Sequence, residues 1–334
     1  MNQFVSILVP VYGVEKYIER CARSLFEQTY EAIEYIFVDD CSPDRSIEIL
    51  KQVIDDYPQR KPHVRIIRHE HNRGLAAVRN TAVEDCHTGF LMHVDSDDYI
   101  ELNTIALCME KQQEYDYDIV TFDMVKHFKH YDEQWNQMEV TSPKDFTVKL
   151  LDGRCAHGVC GNLIRTCLYS DNDIKAIEGV NMAEDYYVMP RLAYHAKRVV
   201  NLHRTLYHYC FENANSYAFT FSRAKSEQQM RVLDELLKYF SNEPDCFHIL
   251  QLEFLRILFD ITKKTIVSGD KDYYRFIREK IKDYPISLLN NISVGDRIAL
   301  FFGPTIVGKY YVEIAYKLKS FWRWLKGHKR QWGK

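Results

Sequence analysis

The 334-residue chain contains no run of about 18 or more apolar residues, so it encodes no membrane-spanning helix. Its nine cysteines are scattered, and no C-x-x-C pair occurs; Cys155, Cys160 and Cys167 come nearest to a cluster. That spacing speaks against a zinc site and against a disulfide framework, leaving reduced thiols of a cytosolic protein as the expectation. Charge of one sign is lacking too. The 44 Lys and Arg stand against 47 Asp and Glu, a formal net charge of −3, which offers no general attraction to nucleic acid. Neither G-x-G-x-x-G nor G-x-x-x-x-G-K-[ST] is found, so a dinucleotide or P-loop cradle for phosphates is disfavoured. No basic region followed by an apolar signal segment precedes the apolar run at Phe4–Val9, and a soluble cytoplasmic protein is expected.

What is present is a regular alternation. Val5–Val9, Tyr35–Val38, Val64–Ile67, Phe90–Val94 and Asp118–Phe122 are short apolar runs that read as strands. Between them, residues 14–28, 47–57, 75–85 and 102–114 carry apolar residues at helical spacing, with Ser42 or Asp44 placed to cap the second helix. Such alternation predicts an α/β fold with a doubly wound, mainly parallel sheet. Residues 126–140 read as an irregular hairpin, 159–169 and 199–211 as strands, and 183–196 as a helix. Beyond Ser222 the pattern is helical: 224–240, 246–267, 272–282 and 309–325. The expected division is a domain over residues 1–220 and a helical C-terminal extension over 221–334.

Chemistry-bearing residues fall at the carboxyl ends of the expected strands. Pro10-Val11-Tyr12-Gly13 follows the first, Asp39-Asp40 the second, Asn72-Arg73-Gly74 the third and Asp95-Ser96-Asp97-Asp98 the fourth. In a doubly wound sheet these ends open on one crevice. Oxygen-rich clusters suit hard divalent cations, which hold phosphates in turn. A carboxylate-held cation therefore takes the place of the missing glycine-rich loop, and a nucleotide-activated donor is the ligand class to which it points. Glu184-Asp185 opens the later helix, where a carboxylate could serve as a base or merely as a favourable first-turn acid.

Taken together, Val5–Tyr12, Val38–Asp44, Asn72–Asn80, Asp95–Asp98 and Glu184-Asp185 resemble the family 2 inverting glycosyltransferases of the GT-A fold, over roughly residues 4–217. The resemblance implies a nucleotide-sugar half (1–122) and an acceptor half (123–220). It sets Pro10, Val11 and Tyr12 against the base, with Asp40 accepting its imide N–H and Asp39 beside it. Asn72, Gly74 and Arg79 then approach the nucleotide, and Asp95 and Ser96 the ribose. Asp97 and Asp95 would hold Mn²⁺ or Mg²⁺, with His208 as a further ligand. Asp185 would be the base, with Glu184 at its side. The implied partners are a nucleotide-sugar donor, a UDP-sugar above others, and a saccharide or lipid-linked saccharide acceptor in cell-surface polysaccharide synthesis.

The chain departs from the family pattern in Tyr207-His208-Tyr209-Cys210, where Cys210 stands at a usual arginine position, in a run that ends at Ser216. Gly13 stands where asparagine is frequent. Two rival readings are a sugar nucleotidyltransferase, whose glycine- and arginine-rich loop is absent here, and a non-catalytic binding module, against which intact Asp97 and Asp185 argue. From Lys309 onward eight cations face the single acid Glu313, interleaved with Tyr310, Tyr311, Phe321 and Trp322. This composition fits an interfacial helix on an anionic leaflet, peripheral to the inner face of the plasma membrane, and equally a docked helix with a solvated basic face. Whether the chain forms a homo-oligomer is left open.

Overall fold

The computed structural model describes residues 3–211, 221–289 and 293–331, with side chains followed as far as Leu318 in the last helix. The first apolar runs form β1 (Val5–Val11), β2 (Ile33–Asp39), β3 (Val64–Arg68) and β4 (Phe90–His93). Linking them are α1 (Ile18–Phe26), α2 (Ser46–Asp56) and α3 (Leu75–Glu84). Helix α1 is amphipathic: Ile18, Cys21, Ala22, Leu25 and Phe26 face the core, while Glu19, Arg20 and Arg23 do not. Strands β1, β2 and β4 are buried on both faces, as parallel strands covered by helices must be.

Beyond β4 come β5 (Tyr99–Ile100), α4 (Thr104–Tyr115), β6 (Ile119–Phe128), β7 (Tyr131–Trp135), α5 (Pro143–Leu151), β8 (Asn162–Arg165), α6 (Cys167–Ser170), α7 (Glu184–His195) and β9 (Val199–Cys210). All nine strands make one sheet, in the order β3-β2-β1-β4-β8-β6-β9-β5, with β7 paired to β6. The sheet is parallel from β3 to β4. Past that point it is mixed, because β8 enters antiparallel to both β4 and β6, while β6 and β9 run parallel. The expected strand over 159–169 is therefore shorter than its apolar content suggests, and its last residues turn into α6.

The chain divides into two compact units, Met1–Ala218 and Phe219–Lys334. The second is helical: α8 (Arg223–Tyr239), α9 (Pro244–Ser268), α10 (Lys271–Lys282), α11 (Ile286–Leu289), α12 (Val294–Phe302) and α13 (Ile306–Gln331). Side chains start three of these helices. Ser222, Asp270 and Ser293 each accept a hydrogen bond from the N–H three residues on. Ile266, Tyr274, Ala299 and Val312 form a small core shared by α9, α10, α12 and α13. Helices α11 and α12 lie in a stretch that the apolar periodicity did not mark.

Candidate active site

Strand order β2-β1-β4 sets Asp39, Val11 and the end of β4 side by side. Val11 pairs with Asp39, Asp40 N–H donates to Val11 O, and Val94 N–H donates to Leu8 O. The loops above are tied to each other. Gly13, Val14 and Glu15 donate successive backbone N–H groups to Ser42 Oγ, Ser46 Oγ and Asp44 Oδ2, each at 2.9 Å. Those are the donors a phosphate would need before α1, and they are already used. The absence of a glycine-rich cradle in the sequence thus has a structural counterpart.

Asp40 is buried and works on the chain itself. Its Oδ1 accepts from Arg73 N–H at 2.8 Å and contacts His69 Nδ1 at 2.7 Å, while Oδ2 accepts from Gly74 N–H at 2.8 Å. A carboxylate accepts about four hydrogen bonds, so these three partners take up most of its capacity. Asp39 is equally buried, accepting from Ser42 N–H at 2.7 Å and facing Arg68 at 3.4 Å. Tyr12 and Asn72 are exposed, Pro10 is half-buried, and Val11 and Ser96 are buried. Cys41, directly after Asp40, sits in the left-handed region at φ 59°, as does Ala183 at φ 65° directly before Glu184. Both acid pairs therefore adjoin a backbone conformation that a Cβ disfavours.

Helix α3 joins the two sides of the crevice. Gly74 has no side chain with which to cap it, and Asn181 Oδ1 does so instead, accepting Ala76 N–H at 3.1 Å. A Cβ on Gly74, whose φ is +87°, would fall 2.2 Å from the Asn181 side chain. One turn on, Asn80 exchanges two hydrogen bonds with the Ala176 backbone. Between them, the buried Arg79 donates through Nη2 to Asp95 Oδ1 at 2.9 Å and through Nε to Glu184 Oε1 at 3.3 Å. One guanidinium thus connects acids 89 residues apart in the chain. Its Nη1 is buried and has no partner among the described residues.

Glu184 is buried and Asp185 is part-exposed at the start of α7. Burial and the neighbouring Asp185 carboxylate, opposed by Arg79, push Glu184 up to about 8. Two adjacent carboxylates in poor solvent disfavour each other's ionisation. Asp185 Oδ1 accepts its neighbour Tyr186 N–H at 2.7 Å.

The acids of the β4 loop are not equivalent. Asp98 is buried; Tyr207 hydroxyl donates to its Oδ2 and Cys210 N–H to its Oδ1, both at 2.7 Å. Burial, with Asp97 and Asp95 close by, holds its carboxyl well above the usual range. Asp98 therefore fastens β9 to the loop, while Asp95 and Asp97 are part-exposed. Cys210 Sγ lies 3.0 Å from Arg20 Nη2, which also donates to Asp97 O at 2.9 Å, with the guanidinium over the Tyr99 ring. A cation thus reaches this place from α1, a contribution that the spacing of the α1 residues did not reveal. Ser216 lies outside the described residues.

His208, expected as a further cation ligand, has both ring nitrogens engaged by neighbouring side chains. It stacks on Tyr99, contacts Glu101 through Nε2 at 2.8 Å and contacts His127 Nε2 through Nδ1 at 2.9 Å. Burial lowers its pKa despite Glu101, so the ring is neutral at neutral pH. Among the described residues no three His, Cys, Asp or Glu side chains are grouped as a complete metal site. Asp95 and Asp97 offer hard oxygen donors that suit Mg²⁺ or Mn²⁺, ions that complete their shells with water and phosphate oxygens.

A sheet that brings aspartates to the carboxyl ends of its first strands, backed by an acid pair on a later helix, defines a GT-A-type α/β domain. Residues 6–166, just under half of the chain, match the family described as Glycosyl transferase family 2. The uncharacterized glycosyltransferase EpsJ of Bacillus subtilis is 33% identical over 223 residues, 65% of this chain and 63% of EpsJ. The chain therefore spans less than two thirds of that relative. Among solved structures, Staphylococcus aureus TarS 1-349 in complex with UDP-GlcNAc superposes with a TM-score of 0.72 at 22% identity, covering 95% of this chain and 92% of that one. A mannosyltransferase from Pyrobaculum calidifontis, in complex with GDP-Man and Mn²⁺, gives 0.50 at 15% identity, with 97% and 88% covered. At such identities the structural likeness establishes the fold.

Proposed function

We propose that the chain is an inverting glycosyltransferase. It moves a sugar from a nucleotide-sugar, a UDP-sugar in our reading, to a hydroxyl of a saccharide or lipid-linked saccharide built at the cytoplasmic face of the membrane. The observation that carries this reading is Arg79, which ties Asp95 of the donor-side cluster to Glu184 beside the candidate base. The UDP-GlcNAc held by TarS supports the choice of donor. A divalent cation, supported by the Mn²⁺ of the archaeal mannosyltransferase, would be held by Asp95 and Asp97 and would offset the charge of the departing diphosphate.

This chain's own residues account for the remaining chemistry. Asp185 takes the proton of the acceptor hydroxyl as its oxygen attacks the anomeric carbon opposite the diphosphate, a contribution of ~10²–10⁴-fold. Glu184, protonated at neutral pH, does not compete for that proton and can donate a hydrogen bond to the acceptor. Arg79 offsets the negative charge that remains between the two acid groups. No covalent intermediate forms, so the anomeric centre is inverted.

The test is slow donor hydrolysis across a panel of nucleotide-sugars with Mn²⁺ or Mg²⁺, which requires no known acceptor. Asp97→Ala should lose cation-dependent UDP binding. Asp185→Asn should keep donor binding and lose turnover; full turnover in that variant would refute the assignment of the base.

A further inference from the structure

The last helix carries its apolar residues on the side that a docked helix should keep polar. Val312, on α13, is 1% exposed and sits in the small core with Ile266, Tyr274 and Ala299. Gly308 lies one turn earlier on the same side, so close to the α12–α13 turn that a Cβ would meet Gly303 O at 2.1 Å. Tyr311, at the edge between that face and the next, donates its hydroxyl to Gly295 O at 3.3 Å. These contacts fix which face of α13 is packed within its unit.

The opposite face is open and apolar. Val307, Tyr310, Ile314 and Leu318 follow at steps of three, four and four residues, so they line one side of the helix, away from Val312. Their exposures are 57%, 63%, 55% and 54%, and Ile306 beside them is 77% exposed. A helix that merely docked with a solvated basic face would show the reverse. Lys309 and Lys317 are exposed on this helix, with no carboxylate partner among the described residues. From Lys309 to the end of the sequence, eight Lys and Arg accompany one acid, Glu313. Among the described residues no helix is long and apolar enough to cross a membrane.

We propose that the outward face of α13, with its flanking lysines, seats in the surface of an anionic phospholipid bilayer. The apolar side chains enter the boundary between headgroups and acyl chains, and the cations meet lipid phosphates. The surplus of cations selects a negatively charged surface over a second copy of this chain, which would bring two basic helices together. This inference does not rest on the catalytic reading.

The test is sedimentation of the full chain with phosphatidylcholine vesicles and with mixed phosphatidylcholine–phosphatidylglycerol vesicles, at low and high salt. Pelleting is expected with the mixed vesicles, about tenfold weaker without the anionic lipid and weaker at high salt, where surface charge is screened. The fourfold variant Val307→Ser, Tyr310→Ser, Ile314→Ser, Leu318→Ser alters only exposed positions; it should keep its circular dichroism and stop pelleting. Lys309→Gln with Lys317→Gln should lower pelleting and flatten its salt dependence. Equal pelleting by the fourfold variant would overturn the proposal. So would a wild-type chain that ignores both vesicles, or one that is dimeric without lipid through this same face.

Discussion

Glu184→Gln is a sharp probe of the acid pair, because it removes a titrating proton without removing a shape. Burial, and then Asp185, push the Glu184 carboxyl up to about 8 from an ordinary value of 4.5. Between those values the folded state holds a proton that the unfolded state has released. Stability therefore falls as pH rises through the window, by about 1.4 kcal/mol per pH unit. From pH 5 to 7.5 the wild type loses on the order of 3 kcal/mol from this group alone. Glutamine keeps an oxygen towards Arg79 Nε and does not titrate. The variant should match the wild type near pH 5 and exceed it by roughly 3 kcal/mol near pH 7.5. Urea unfolding of both proteins across this range measures it, and subtracting the two profiles cancels the other titrating groups. Donor hydrolysis should fall less than in Asp185→Asn. Parallel stability profiles would show that Glu184 is ionised in the folded state, and the division of roles within the pair would fail.

Three further changes test the supports of the site. Tyr207→Phe removes the hydroxyl that accepts Asp95 N–H and donates to buried Asp98, and should cost about 1–3 kcal/mol by urea unfolding. Gly74→Ala should destabilise by more than Gly179→Ala, by roughly 1–3 kcal/mol, since both have positive φ but only Gly74 faces Asn181; equal losses would reject the clash. Cys41→Gly relieves a left-handed Cβ worth about 1 kcal/mol and should raise the melting temperature by roughly 2–4 °C, and an unchanged melt would show that no strain is stored there.

Much of the first unit is legible because crossover units announce themselves by a change of period. Residues 5–9, 35–38 and 90–94 are apolar runs too short for helices, and 47–57 and 75–85 show helical spacing, the latter with a glycine before it. What is not legible is how distant segments pair. Tyr99–Ile100 is two residues long and is a strand only because β9 lies beside it. Nothing in Asn162–Arg165 shows that it runs antiparallel between β4 and β6. The acids stand out at strand ends by their type alone. Their partners do not, because Asn181, His69 and Arg20 are ordinary polar residues until folding places them against Gly74, Asp40 and Asp97. His208 shows the opposite case. A histidine near an acid cluster suggests a ligand, and only the stack with Tyr99 and His127 shows where its nitrogens go.

The antiparallel entry of β8 has a consequence for how such a protein diversifies. It returns the chain to the end of β4, where His93 bridges Cys160, and brings Gly158 alongside α7. A methyl group on Gly158 would stand 3.6 Å from Asp185 Oδ2. With Asp185 as the base, the bulk of one side chain at 158 trims the space in which an incoming alcohol can reach it. The ends of β1, β2 and β4 take no part in that contact. In the proposed reaction, the loop around Gly158 would therefore bear on the acceptor side alone, apart from the proposed donor-side residues.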